Sequence, residues 1–330
     1  LNYRMEYYMK YRLFDELQRD EVDIMLFHEH GSPERQYICD IPAPNGLQGY
    51  MDYIKSSLYS TVKQEIEKKK GSPEEIKSIS RADVMDFYRR YYAPNNAILV
   101  LSGDIEPKTA KLLAEKYFGK VKPRPVGAKA DFPKLDRHFA GRLEMKLPQI
   151  KTVRLTKSYI APSFNTNREA VYPLLVLSAY LGEGETSKLY KKLVLEEKNA
   201  LGVSVAYDFA SRSYGGFSIS AMPKEDVDAK AFETALDKAV KEALAEISVE
   251  EIEKTKGKML AGQVYLRDNP NDAAYIAGSM AAVGMSVEDI ENHADNIRKV
   301  SAADVRKAAK NLFGRAINVT GVIKPEKEGR

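Results

Sequence analysis

Hydrophobic and polar positions follow two rhythms along this chain. Val153, Leu155 and Tyr159 alternate with Arg154, Thr156 and Ser158, which predicts a half-buried strand. Val203, Val205, Tyr207 and Phe209 alternate with Ser204, Ala206 and Asp208, and Phe217, Ile219 and Ala221 alternate with Ser218 and Ser220. Those two runs predict a hairpin, with Gly215-Gly216 as its turn. Elsewhere the period is helical. Val171, Leu174, Leu175 and Leu181 predict a helix over 167–181, and Phe232, Ala235, Leu236, Ala239, Val240, Ala243 and Leu244 predict another. Between the first of these and a helix starting near Lys188 lies the turn Gly182-Glu183-Gly184-Glu185-Thr186-Ser187. Ser248, Asn269-Pro270 and Ser286 open further helices. Nearer the N-terminus, Tyr7, Tyr11, Phe14 and Leu17 predict a helix within 1–20, and 51–70 predicts one closing on Lys68-Lys69-Lys70-Gly71. Ala97–Leu101 is a continuous apolar run, the pattern of a strand buried on both faces. From residue 138 on, the order is strand, helix, helix, strand, strand, a run of helices and a closing strand. That order is an α+β domain with helices over one face of a sheet.

One segment occurs twice. Ile79-Ser80-Arg81-Ala82-Asp83-Val84 is followed eight residues on by Tyr92, then by the apolar run from Ala97 and by Gly103. Val300-Ser301-Ala302-Ala303-Asp304-Val305 is followed eight residues on by Phe313, then by Ala316–Val319 and Gly321. Each reads as a helix capped by its serine, with the aspartate at the third helical position closing the cap, running into a strand. Ser80 and Ser301 lie 221 residues apart (301 − 80), a spacing that suits a duplicated domain and not a solenoid unit. The first copy ends near Pro107, so about half of a domain is missing on the N-terminal side. The expected organisation is an incomplete first domain over 1–122, a proline-rich linker over 123–137 and a second domain over 138–330. A half-built sheet should leave Ile98, Val100 and the tyrosines at 3, 7, 8 and 11 uncovered. That apolar surface is expected to be covered by further chain or by a partner subunit.

Composition narrows the chemistry. The 330 residues are 44% hydrophobic and 30% charged, enough for about two domains with real cores. A net charge of +4 with interleaved signs gives no nucleic-acid footprint. Cys39 stands alone, which excludes an internal disulfide framework and a multi-cysteine metal site. No run approaches the roughly 18 apolar residues of a membrane span. The start, Leu1-Asn2-Tyr3-Arg4, has neither an initiator methionine nor a leader pattern and is expected to lie inside a longer reading frame. His28-Glu29-His30 is the one local group of metal-ligand residue types, but Leu26 stands where a paired-histidine zinc motif needs its first ligand. It reads as a loop or strand end. Gly182-Glu183-Gly184 follows a helix and is flanked by acids, which argues against phosphate. No nucleophile elbow occurs.

Several ordered motifs resemble one family. Asp83-Val84, Phe87-Tyr88 and Tyr92-Ala93-Pro94-Asn95-Asn96-Ala97, with the strand to Gly103-Asp104, look like the end of the first domain of the pitrilysin/insulinase family of zinc peptidases. The closest branch is the short bacterial, mitochondrial-processing-peptidase-like one. Leu181-Gly182-x-Gly184-x-x-Ser187-Lys188-Leu189-Tyr190 is similar to the family's second-domain glycine turn, and Asp268-Asn269-Pro270 and the last strand fit too. Arg12-Leu13-Phe14-Asp15-Glu16-Leu17 resembles the stretch just past the family's third zinc ligand.

The resemblance implies two pseudo-symmetric domains, a clamshell around a peptide and zinc-dependent hydrolysis. It also implies that this chain lacks the zinc motif, whose place would precede residue 1. No metal ligand is therefore assigned here. Zinc is expected in the missing half or in a partner subunit. Gly182, Gly184 and Ser187 are the expected substrate-binding residues. The Arg and Tyr with which many members hold substrate should fall between Val194 and Ser204, where this chain has neither. The expected role is a non-catalytic half or fragment of a peptidase, taking peptide or unfolded polypeptide and pairing with a homologous subunit or a second copy. The alternative is a structural assembly subunit with no proteolytic role. The compartment is left open by the sequence; with no disulfide framework, a bacterial cytoplasmic or periplasmic setting is favoured over an extracellular one.

Overall fold

A computed structural model describes residues 23–28, 37–38, 78–127, 140–148, 150–267, 270–314 and 318–326. The helices expected over 1–20 and 51–70, the tyrosines at 3–11, His30 and Cys39 lie outside them. The chain divides into two compact units, one of residues 1–130 with 269–282, the other of 131–268 with 283–330.

In the first unit, strands β1 (Asp23–His28), β2 (Tyr37–Ile38) and β3 (Ala97–Ser102) form an antiparallel sheet in the order β2-β1-β3. His28 ends β1, in register with Ala97 and Tyr37. Before β3 runs the helix Arg81–Tyr91, and after it Pro107–Phe118. Strand β3 is half-buried along its whole length because helices cover both faces. Leu99 and Leu101 pack with Tyr117, Leu113 and Phe118, while Ile98 and Val100 pack against Ala274 and Ala282. This corrects the expectation that Ile98 and Val100 would stand uncovered. The cover is the helix Pro270–Ala282 of the same chain, delivered from far along the sequence. At the other end of this unit, Arg124 exchanges hydrogen bonds with the Asn95 side chain, and the Gly127 amide donates to the Arg90 carbonyl at 2.9 Å.

The second unit holds a five-stranded sheet in the order β4-β8-β5-β7-β6. Its strands are β4 (Gly141–Leu147), β5 (Arg154–Ala161), β6 (Ala200–Asp208), β7 (Gly215–Pro223) and β8 (Val319–Pro325). β4 runs parallel to β8, and all other pairs are antiparallel. Alternation puts Leu155, Tyr159, Phe217, Ile219, Ala221, Val203 and Tyr207 on the buried face. Against this face lies the central helix Arg168–Gly182, apolar nearly all round, with Val171, Leu174, Val176, Leu177 and Leu181 at most 2% exposed. A helix of that kind belongs inside a layer, and each such side chain is worth about 1.5–3 kcal/mol on burial. The helices Ala229–Ala245, Val249–Arg267 and Ala302–Phe313 complete the helical side with Phe232, Leu236, Ile252 and Val305 buried. This is the α+β architecture expected.

Two local readings change. Gly215 and Gly216 are the first residues of β7, not the turn, which occupies 209–214. Gly215 is needed because a Cβ there would lie 2.2 Å from the Asp208 carbonyl oxygen of the neighbouring strand. Strand β4 was not expected, though Leu143, Met145 and Leu147 carry its period of two.

The repeated segments form the same local structure. Ser80 caps Arg81–Tyr91 and Ser301 caps Ala302–Phe313. In each, the serine hydroxyl accepts from the aspartate amide, and the aspartate carboxylate takes the serine's own amide, at 2.8 Å in the first and 2.9 Å in the second. Ser286 and Asp289 build a third such box. The first segment runs into β3 and the second into β8, which starts at Val319; Ala316 and Ile317 lie outside the described residues.

Candidate functional site

The central helix ends at Gly182, and the turn beyond it is shaped by three small residues. Gly182 is buried against strand β6: a Cβ there would lie 2.4 Å from Val205 Cγ2 and 2.5 Å from its backbone nitrogen. Only glycine lets the helix end approach the strand so closely. Gly184 takes φ +73°, the left-handed region, in open space. Ser187 is buried, and both its amide and its hydroxyl donate to the Gly184 carbonyl, at 3.2 and 2.7 Å. Its own carbonyl then accepts from the Lys191 amide as the chain winds into the helical stretch Lys188–Glu196, whose second part is a wide π turn. The three residues expected at the site therefore form one continuous turn, and each also has a job in shaping it.

Beside the turn opens a cleft of about 170 Å³. Thr186, Ser187, Lys188 and Lys191 line it from the turn side. From the helix Val249–Arg267 come Glu251, Lys254, Thr255 and Lys258, which share one face at spacings of three and four. Lys188 bridges Glu246 at 3.0 Å and Glu251 at 3.5 Å. Partial burial pulls its pKa down, but the two carboxylates outweigh that and hold it above the ordinary lysine value. Lys258 Nζ donates to Thr186 Oγ1 at 2.5 Å. Also lining the cleft, Tyr180 donates its hydroxyl to the Ala243 carbonyl at 2.8 Å, and burial pushes its phenol well above the usual range.

The lysines of the long helix were not foreseen. They reach the turn from about 70 residues away, and a Lys254/Lys258 pair in sequence reads as an ordinary solvated face. Also new are Leu195 and Leu201, exposed at 53% and 52%. They flank the start of β6, an edge strand that pairs only with β7 among the described residues.

Among the described residues, no three of His, Cys, Asp and Glu come together in a way that could hold a metal ion. The described side chains do not fit a zinc. No described helix is long and apolar enough to cross a membrane.

The fold has known counterparts. A protein-family model, the Peptidase M16 inactive domain, matches residues 78–259, more than half of the chain. The zinc protease PqqE of Helicobacter pylori is 23% identical over 265 residues, covering 77% of this chain and 57% of that protein. The chain thus spans little more than half the length of that relative. A protease from Helicobacter pylori has a crystal structure with TM-score 0.69 and 21% identity, covering 77% of this chain and 62% of that one. The structure of an M16-like peptidase from Alicyclobacillus acidocaldarius also gives TM-score 0.69, at 12% identity, covering 92% of this chain and 93% of that one. With its inactive-domain match running from the first capped helix through the glycine turn to the cleft helix, this chain belongs to the M16 peptidase family, the pitrilysin/insulinase group its motifs resemble.

Proposed function

We propose that this chain is the non-catalytic half of a two-half peptidase clamshell and forms part of the wall that holds an extended peptide. The observation that carries this reading is the seating of the glycine turn on an edge strand. Gly182 abuts Val205, and β6 has a partner on one side only among the described residues. An unpaired strand edge offers backbone donors and acceptors that an extended peptide can pair with, whatever its sequence. Exposed Leu195 and Leu201 supply apolar contacts beside it. Gly182, Gly184 and Ser187 keep the turn small enough to leave that edge open.

Zinc in this reading sits outside this chain, in another half or a partner subunit. Bound there, zinc would supply the Lewis-acid chemistry of amide hydrolysis, and this chain would supply only the wall. The partner is a homologous subunit or a second copy, and the substrate an unfolded polypeptide. Nucleic acid has no role, and the setting is the bacterial cytoplasm or periplasm. The two capped helix–strand segments belong to two related domains, the first incomplete over 1–122, the second over 138–330.

Hydrogen exchange tests the wall directly. An unfolded, protease-resistant peptide added to the chain should protect amides of 200–208, and the chain alone should release no fragments from a cleavable one. Metal-dependent fragments from the chain alone would overturn the non-catalytic assignment. Absence of any peptide binding would favour a purely structural subunit.

A further inference from the structure

We infer that the lysine-lined cleft beside the glycine turn binds a peptide carboxylate, so that the wall selects for acidic groups. Four lysines line the cleft, Lys188, Lys191, Lys254 and Lys258, against two carboxylates, Glu183 and Glu251. The excess is two positive charges (4 − 2). The carboxylates do not spread their charge evenly. Glu251 is engaged by Lys188, which also holds Glu246 outside the cleft. Lys191 and Lys254 are exposed and have no ion-pair partner among the described residues. Lys258 takes a neutral hydroxyl, Thr186 Oγ1, as its acceptor, so its charge stays uncompensated. Because that hydroxyl accepts from a lysine, its own proton is left to donate outward. Two ammonium groups without partners, a third on a neutral acceptor and a hydroxyl proton, gathered on one concave surface, are the complement of a carboxylate.

The modest charge excess suits a monoanion better than a phosphate dianion. The inference deepens the reading of the turn as part of the peptide wall and rests on it. It adds the preferred chemistry: an acidic side chain or the free C-terminus of a peptide. Both sources present the same group, and the test separates them.

The test is calorimetric titration of the whole chain at low salt with four probes: a Glu-containing peptide amidated at its C-terminus, a neutral peptide with a free C-terminus, the same neutral peptide amidated, and inorganic phosphate. At least one of the two carboxylate-bearing peptides should bind more tightly than the amidated neutral one, and the difference should shrink as salt shortens the screening length. Which of the two binds identifies the source. Lys191→Gln/Lys254→Gln should weaken carboxylate binding by about 2- to 25-fold, taking a factor of about 1.5–5 for each exposed pair. Lys241→Gln/Lys310→Gln carries the same charge change elsewhere and should leave binding unaltered. Equal binding of all three peptides, or equal loss in both double variants, would overturn the carboxylate site while leaving the wall intact. Phosphate binding more tightly than either carboxylate would overturn it too. No binding of any peptide would remove the wall and the site together.

Discussion

Gly182 lies so close to Val205 that a single added carbon would sit 2.5 Å from the strand's backbone nitrogen. The contact joins the end of the central helix to the edge of the sheet, and backbone cannot rotate away as a side chain can. Gly182→Ala should therefore destabilise the second unit by about 1–3 kcal/mol through overpacking. Val205→Ala in the same chain should restore only part of that, because the nitrogen remains. Urea denaturation checks both. A Gly182→Ala chain as stable as the parent would mean that the approach is looser than described.

Lys256 is a buried cation, only 5% exposed, set at the C-terminal end of the helix His293–Lys299. Its Nζ donates to the carbonyls of Arg298 and Val300, both at 2.8 Å, and pairs with Glu253 at 2.7 Å. Replacing it with Met keeps the stem but orphans two carbonyls, at about 1–3 kcal/mol for each buried group. Lys256→Met should cost roughly 2–6 kcal/mol, whereas Lys254→Met, exposed on the same helix, should stay within about 0.5 kcal/mol. Thermal melts of the two variants side by side give the comparison. Equal effects would show that Lys256 contributes nothing as a cap.

His293 packs between the rings of Tyr172 and Phe209, at centroid distances of 5.4 and 6.0 Å, and its Nδ1 is buried without a hydrogen-bond partner among the described residues. Burial lowers its pKa below 6.5. The unfolded chain thus binds a proton at a higher pH than the folded one. The stability from keeping this ring neutral is fully present above pH 6.5 and is lost as pH falls through the folded value. Asp83 and Asp304 act in a lower window. Hydrogen bonds from Ser80 and Ser301 depress their pKa values below 3.8, so their contribution is lost only on further acidification. Stability measured from pH 8 to pH 5 should fall for the parent chain and flatten for His293→Phe. A flat parent profile would contradict this.

Zinc added to the chain should be removed by dialysis, because no three potential ligands come together among the described residues. His28→Ala should leave zinc retention unchanged, since His28 ends β1 in register with Ala97 and Tyr37. One tightly held zinc per chain, lost on that substitution, would refute the placement of the metal elsewhere.

The sequence by itself determined most local elements of the second unit, β4 and the exact hairpin turn excepted. Alternation of Phe217, Ile219 and Ala221 with serines gave a strand because a pleat exposes every second residue to the core. The Ser80/Asp83 and Ser301/Asp304 pairs gave helix starts because capping is a contact over three residues, complete before any tertiary packing. Gly182, Gly184 and Ser187 were legible as a turn for the same reason. What only the tertiary structure decided are the contacts between distant segments. Gly215 reads as a hairpin turn until the Asp208 carbonyl of the next strand is seen to leave no room for a Cβ. The cover over Ile98 and Val100 comes from 270–282, and no periodicity in either segment announces the other. The same holds for the cleft. Lys254 and Lys258 look like solvated charges along their own helix, and become a site only where the fold sets that helix against Thr186 and Lys191. Backbone propensity and capping act over a few residues and are written locally; burial and charge complementarity depend on which surfaces meet, and only the folded chain decides that.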